Sequence, residues 1–353
     1  MLIMKERDIN LPVIAIVSNA ITGGGAEKSM LALHESFLKY GLKSNLIALN
    51  ISVNQKKIAH VIELNRKWKS GVINTWSNYL DFKKLVKNVD PDVLILNCEL
   101  PEFYGALLRF NGKLICVEHT SKPWTGKPLL GITVRLALKF KRADWVTVIP
   151  NEHKVWVGGF VVAHLPNPYS DHQLKNKVID QSLMLTFVGS FKPNKHPEWV
   201  IETGLELNLS VQLFGDGLLN RQLKDKYNNH TSQIRFLGFK SDPWNSISSK
   251  SLVIVPSDYE GDGLVVVEAI MSGNPLLLRD NKDLRRFGLE DKHYFRDLEN
   301  LKLVVKQNLD TRFQNLVVSD SEADKLRLTR SLQKVTDDWI DLILAKSHTT
   351  QPK

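Results

Sequence analysis

Apolar positions along this chain gather in short dense runs separated by stretches of helix length. In the first half the runs are VIAIV (13–17), NLIAL (45–49), DVLILN (92–97), KLICVEH (113–119), WVTVIP (145–150) and VVAHLPN (161–167). They are rich in β-branched residues, are bounded by turn residues and do not alternate cleanly between apolar and polar. A strand that is apolar on both sides is covered on both sides, so the pattern predicts a parallel sheet enclosed by helices. Between the first two runs, AEKSMLALHESFLKYG (26–41) has helical spacing and stops at Gly41.

The second half repeats the plan with LMLTFVG (183–189), SVQLFGDG (210–217), IRFLGF (234–239), SLVIVPS (251–257) and PLLLR (275–279). Pro166, Asn167, Pro168 and the polar stretch YSDHQLKNKVIDQS (169–182) interrupt the alternation and read as a linker. The expectation is two facing, doubly wound parallel-sheet domains, at 1–168 and 183–321, joined by 169–182. Leu332, Val335, Trp339, Leu342 and Ile343 form one apolar stripe. It predicts a final helical segment over 322–346 that packs back on the first domain.

Composition narrows this picture. The 353 residues are 43% apolar and 24% charged, which suits a globular protein of two domains with full cores. Cys98 and Cys116 sit in apolar runs and read as reduced core residues, not as a disulfide or metal pair. The start, MLIMKERDINLPV, has too short an apolar segment for a signal peptide, and no run approaches a membrane span. The expected location is cytoplasmic, at most peripheral on the inner face of the membrane. The net charge of +9 lies wholly in the first half: residues 1–170 hold 22 Lys/Arg against 13 Asp/Glu, and residues 171–353 hold 25 of each. Such asymmetry points to an acidic partner for one lobe, although solvated helix faces account for many single lysines. RKWKS (66–70), FKKLVK (82–87) and KFKRADW (139–145) mix aromatic with basic residues, which favours a membrane surface. No nucleic-acid-binding motif is present.

Two glycine-containing stretches carry candidate chemistry. SNAITGGGAEKSM (18–30) ends in Lys28-Ser29 like a phosphate loop, but Thr22 and Glu27 stand where that loop needs glycines. Read as a dinucleotide fingerprint, it fails at Lys28, and no acidic residue follows at the required distance. It still opens the first helix at the carboxyl edge of the sheet, where amides and the helix dipole favour an anion. A flexible turn, with Glu27 favouring the helix start, explains it as well. The second stretch is VPSDYEGDGLVVVEAIMSGNPLLL (255–278). Seven residues separate Glu260 from Glu268, so the two carboxylates reach different parts of one extended ligand. Gly261 and Gly263 permit close backbone approach. The N–H groups of Gly263, Leu264 and Val265 leave the helix start toward a phosphate.

SDYEGDGLVVVEA followed by SGNP resembles the Glu-x7-Glu signature of retaining GT-B-fold glycosyltransferases of the group 1, family 4-like kind. GGGAEKS, ADWVTVIP, HLPNP, FVGSFKPNKHPEWVIE, LFGDG and IRFLGF resemble further family segments in the right order, so the likeness covers most of residues 12–280. The resemblance implies a GT-B fold of two Rossmann-like domains. It implies transfer of a hexosyl or N-acetylhexosaminyl group from a UDP- or GDP-sugar to a glycan acceptor, lipid-linked, in bacterial surface polysaccharide assembly (O-antigen, capsule or lipopolysaccharide). By position, Glu268 matches the carboxylate on the ribose and Glu260 the one on the donor sugar. Lys195 matches the lysine on the diphosphate, and His119 a histidine of the sugar pocket. The amides from Gly261 through Asp262 and Gly263 to Leu264 match those near sugar and diphosphate. Gly24 and Gly25 match the loop that touches diphosphate or acceptor.

The family has Gly-Arg where this chain has Gly189-Ser190, so one diphosphate cation is missing; Lys192 or Arg279 are the substitutes the sequence offers. The family's Gly-Gly-x-x-Glu segment is replaced by RDNKDLRRFG (279–288). Asp262 stands where an aromatic or aliphatic residue is usual, either bonding a sugar hydroxyl or sitting in solvent. No cofactor and no metal are expected, since the sole Asp-x-Asp, Asp90-Pro91-Asp92, precedes a strand and reads as a turn. The implied partners are the donor, a glycan or lipid-linked glycan acceptor and an acidic membrane surface, with no nucleic acid. Two other readings stay open: a nucleotide-sugar 2-epimerase, and a non-catalytic nucleotide-sugar-binding protein.

Overall fold

The computed structural model describes residues 11–21, 24–51, 59–66, 71–120, 123–149, 154–157, 159–169 and 183–345. The chain divides into two compact units. Unit 1 comprises the residues up to Pro168 together with those from Val335 onward; unit 2 is Tyr169–Lys334. Of the stretch read as a linker, 170–182 lies outside the described residues, as do Thr22 and Gly23 of the first glycine loop.

Unit 1 runs β1 (Val13–Ser18), α1 (Gly25–Lys39), β2 (Lys43–Asn50), β3 (Val61–Arg66), α2 (Val72–Val89), β4 (Val93–Asn97), α3 (Glu99–Leu107), β5 (Lys113–Glu118), α4 (Pro128–Phe140), β6 (Asp144–Thr147), β7 (Lys154–Val155) and β8 (Gly159–His164). The sheet order is β3-β2-β1-β4-β5-β6-β8-β7. Every pairing is parallel except that of the two-residue β7 with β8. The unbroken apolar runs are explained by burial on both faces. Ile14, Ile16, Ile95 and Ile115 point to one side, against α1. Ala15, Val17, Leu94, Leu96 and Cys116 point to the other, against α2, α3 and α4. Successive side chains on a strand alternate faces, so a strand covered on both needs apolar residues throughout.

Unit 2 runs β9 (Met184–Val188), α5 (Pro197–Glu206), β10 (Ser210–Phe214), α6 (Asn220–Lys226), β11 (Ile234–Gly238), β12 (Ser251–Val255), α7 (Leu264–Met271), β13 (Leu276–Arg279), α8 (Lys282–Arg285), β14 (Tyr294–Phe295), α9 (Leu298–Gln307) and α10 (Asp320–Arg330), before α11 (Leu332–Leu344). Its sheet is parallel throughout, in the order β11-β10-β9-β12-β13-β14. Two Rossmann-like parallel-sheet domains are thus present. In each, the order of the parallel strands reverses within the sheet, between β1 and β4 and between β9 and β12. Loops leaving the carboxyl ends of strands at such a reversal diverge and leave room for a ligand.

From Val335 on, α11 belongs to unit 1. Val335, Trp339 and Ile343 complete the apolar layer over α1 and the sheet, with Leu342 partly buried beside them. The Lys113 Nζ donates to the Leu342 carbonyl at 2.6 Å and the Ala345 carbonyl at 3.1 Å, which satisfies acceptors that a helix end leaves open. The Thr336 and Ser36 hydroxyls pair at 2.8 Å. Trp339 is only 2% exposed and fills most of this seat. Trp339→Ala is expected to destabilise unit 1 by about 3–5 kcal/mol. Urea unfolding should show the unit 1 transition moving to lower denaturant; an unmoved transition would mean α11 contributes little to that core.

Candidate functional site

In unit 2 the residues of interest leave the ends of β9 and β12, the strands flanking the reversal. After β12 the chain passes through Ser257, Asp258, Glu260, Gly261 and Asp262 to Gly263, which adopts the left-handed conformation (φ 71°, ψ 38°) just before α7. A side chain at 263 would put its Cβ 2.8 Å from the Phe287 ring, so both conformation and space demand glycine here. This turn sets the direction of α7. No side chain caps the start of α7 and its first turn holds no acidic residue. By contrast, Asn281, Asp297 and Ser319 cap α8, α9 and α10. The Leu264 and Val265 end of α7 therefore keeps the positive end of its dipole open.

Three contacts fix Glu260, two on its carboxylate and one on its backbone amide. Lys195 Nζ lies 2.6 Å from Glu260 Oε1 and the Ser257 hydroxyl donates to the same oxygen at 2.8 Å. The Glu260 amide donates to Asp283 Oδ2 at 3.1 Å. Lys195 comes from a 3-10 turn, Pro193–Lys195, that follows β9. The Asp258 amide donates to the Asn194 carbonyl at 2.9 Å and ties this turn to the Glu260 loop. Glu268, buried on α7, accepts a hydrogen bond of 2.9 Å from Trp244 Nε1. Gly189 and Ser190 sit at the end of β9, and the Gly189 amide donates to the Phe214 carbonyl at 2.9 Å. The structure thus brings together Lys195 and Glu260, which are 65 positions apart, beside the turn that starts α7.

Two expectations change, those for Asp262 and Cys98, and Arg279 has a partner. Asp262 is not in solvent: its carboxylate is buried and lies 2.7 Å from Arg330 Nη1. Arg279, offered as a substitute cation, pairs with Asp258, as Lys195 does with Glu260, and stacks 4.7 Å over the Trp199 ring. Cys98 is not a core residue; it precedes α3 with φ 75° and lines a cavity. Trp244 and Arg330, the partners of Glu268 and Asp262, had no sequence signal, because neither lies near its partner in the chain.

That cavity belongs to unit 1 and has a volume of about 430 Å³. It lies where β1, β4 and β5 end, and its walls include Asn19, Asn50, Arg66, Cys98 and His119. Beneath it lies a buried charge cluster. Arg135 forms ion pairs of 2.8 Å with Glu102 and 3.0 Å with Glu118, and stacks 4.8 Å over Trp145. The Trp124 indole donates to Glu102 at 2.9 Å. Burial pushes the Glu102 carboxyl upward against the pull of Arg135. Arg135 faces two carboxylates, and the upward shift of Glu102 eases the excess of negative charge in the cluster.

His119 Nε2 lies 2.6 Å from Asn97 Oδ1, while Asn97 Nδ2 donates to the Ser18 hydroxyl at 3.1 Å. Asn97 therefore accepts from the ring, which places the imidazole proton on Nε2 and leaves Nδ1 as its acceptor. Desolvation by the surrounding protein lowers the His119 pKa to about 4, so the ring is neutral near pH 7. In the first glycine loop, the Gly24 amide donates to Glu27 Oε2 at 2.9 Å, and Gly25 begins α1. Glu27 thus holds the anion position that the loop offers. Among the described residues, no three His, Cys, Asp or Glu side chains converge as a metal site.

The family described as Glycosyl transferases group 1 matches residues 170–326. Unit 2 is a group 1 glycosyltransferase domain. An Escherichia coli protein, UDP-Gal:alpha-D-GlcNAc-diphosphoundecaprenol alpha-1,3-galactosyltransferase, is 20% identical over 320 residues, covering 78% of this chain and 82% of its own. Among solved structures, a sucrose-phosphate synthase from Thermosynechococcus elongatus superposes with a TM-score of 0.77 at 15% identity, covering 94% of this chain and 98% of its own. WaaG, a glycosyltransferase involved in lipopolysaccharide biosynthesis, gives 0.68 at 14%, covering 95% and 100%. The group 1 domain contains Lys195, Glu260, Glu268 and the start of α7; the cavity with His119 lies outside it.

The lowered pKa of His119 has a consequence for stability. The unfolded chain takes up this proton near pH 6.5, while the folded chain resists until about pH 4. The stability from the neutral ring is therefore complete above pH 6.5 and is lost as the pH falls toward 4. His119→Gln retains a donor to Asn97 and removes the titration. Denaturation at pH 7 and pH 4.5 should show a smaller acid loss for this variant than for the wild type; equal losses would contradict the buried neutral ring.

Proposed function

We propose that the chain is a retaining glycosyltransferase that moves a sugar from a nucleotide diphosphate sugar to a lipid-linked glycan acceptor in bacterial surface polysaccharide assembly. The observation that carries this reading is the Lys195–Glu260 pair beside the uncapped start of α7, with Glu268 one turn further on. In this scheme Glu268 takes the ribose hydroxyls, and the amides of Gly263, Leu264 and Val265 meet the diphosphate. Glu260 orients the sugar and is not a nucleophile. Lys195 and the helix start stabilise the charge that grows on the leaving diphosphate, the electrostatic contribution expected to dominate. The scheme calls for no metal. The cavity of unit 1 would take the acceptor glycan, with Nδ1 of the neutral His119 accepting from a hydroxyl. Uridine is the favoured base and a diphosphopolyprenol the favoured acceptor carrier, by analogy with the name of the Escherichia coli relative.

A UDP- or GDP-sugar at about 100 times its Kd should stabilise the protein by about 2.7 kcal/mol. That corresponds to a Tm rise of roughly 5–10 °C for domains of this size. Glu268→Gln should abolish most of the rise. NMR of the product should show the anomeric configuration of the donor. A thermal screen in which no nucleotide sugar raises Tm would overturn the proposal, and binding without turnover on any glycan acceptor would favour a non-catalytic binding protein.

A membrane-borne acceptor fits the surface of unit 1. On α4, Leu129 and Phe140 are 80% and 86% exposed. Lys127, Lys139 and Arg142 flank them, and residues 127–142 contain no acidic residue. On α2, Val72, Ile73 and Trp76 are exposed, with Lys83, Lys84 and Lys87 following. Most of RKWKS lies outside the described residues. Apolar side chains flanked by lysines match an anionic bilayer, and no described helix is long and apolar enough to cross one. The full chain should co-sediment with phosphatidylglycerol-containing vesicles, and the pair Leu129→Ser and Phe140→Ser should weaken this severalfold. Equal binding to neutral vesicles would contradict an electrostatic component.

A further inference from the structure

By the resemblance, Ser190 stands where the family has a diphosphate arginine, and Lys192 and Arg279 are the substitutes visible in the sequence. Arg279 is engaged with Asp258, and Lys192 stands exposed. A different arginine is in place. Arg285 and Arg286 are neighbours after β13 with opposite surroundings. Arg285 pairs with Asp280 and Asp291 and lies 3.9 Å over the Tyr294 ring. Arg286 makes no ion pair: its Nε and Nη2 are buried and have no hydrogen-bond partner among the described residues. Nη2 lies 3.4 Å from the point that a Cβ on Gly263 would occupy, so the guanidinium rests against the bare backbone where α7 begins.

The carboxylates around Arg286 are committed elsewhere. Asp262 faces Arg330, Glu260 faces Lys195, and Asp283 accepts the Glu260 amide. Burial and nearby Arg330 lower the proton affinity of Arg286, against the pull of Asp262, Asp283 and Glu260. Arg286 is half-buried, and two of its three guanidinium nitrogens are buried and unmet, which costs stability unless an anion completes them; the planar fork suits phosphate oxygens. The uncapped start of α7 independently favours an anion in the same place.

We propose that Arg286 is the second cation for the donor diphosphate, replacing the one absent at Ser190 and acting with Lys195. This inference rests on the donor-site reading above. Calorimetric titration of the full chain with uridine, UMP and UDP, and with the guanosine series, separates the two. If the wild type binds none of these nucleotides, the donor-site reading itself fails, and Arg286 with it. If it binds, Arg286→Met should weaken the nucleoside diphosphate by roughly 10- to 100-fold while leaving the nucleoside unchanged. Arg286→Lys should fall between, since it keeps the charge but loses the fork. Arg286→Met should also raise the Tm of the ligand-free protein, because it removes two buried donors that have no partner among the described residues. A lowered Tm with unchanged diphosphate affinity would make Arg286 structural and overturn the inference.

Discussion

The Lys195–Glu260 ion pair is the contact on which the account of unit 2 depends. It joins the turns that leave two neighbouring strands, β9 and β12, at the point where the strand order reverses. Such turns diverge and have no ladder between them, so their relative position must be set by other bonds. Here it is set by this pair, by the Asp258 to Asn194 backbone bond, and by Ser257 and Asp283 around Glu260. With the loop fixed, Gly263 can turn in the left-handed conformation and aim the open end of α7. A Lys195 already held 2.6 Å from a carboxylate is positioned before any ligand arrives, and preorganised charge is more effective than charge that must be gathered.

The two units balance their electrostatics in opposite ways. Around the cavity of unit 1, Arg135 is shared between Glu102 and Glu118, and His119 is held neutral. Such a wall offers paired charges and hydrogen-bonding groups, which suits sugar hydroxyls. Near the start of α7 in unit 2 the balance is open, with no capping side chain and an arginine whose donors are unmet. That arrangement is costly without an anion and stabilised by one. Proteins accept local instability of this kind where function requires it.

Much of the fold was legible because burial on both faces leaves a local record. β4 and β12 are buried at every position, and their runs, VLILN and SLVIV, read as enclosed strands without any tertiary information. The Glu260 to Glu268 stretch was legible for a similar reason, since loop, glycine turn and helix lie within one short segment. What was not legible depends on pairs distant in sequence. Glu102 meets Arg135 across 33 positions and Asp262 meets Arg330 across 68, and no local pattern marks either pair. Arg285 and Arg286 look alike in the sequence. Only packing separates one that is fully paired from one that is not.

The central claim is that the start of α7 is a diphosphate site. A crystal structure of the protein with a UDP- or GDP-sugar tests it most directly. The account predicts phosphate oxygens within hydrogen-bond distance of the Gly263–Val265 amides, Lys195 and Arg286, with the ribose on Glu268. Nucleotide bound instead in the cavity of unit 1, or phosphates placed away from these amides, Lys195 and Arg286, would contradict it.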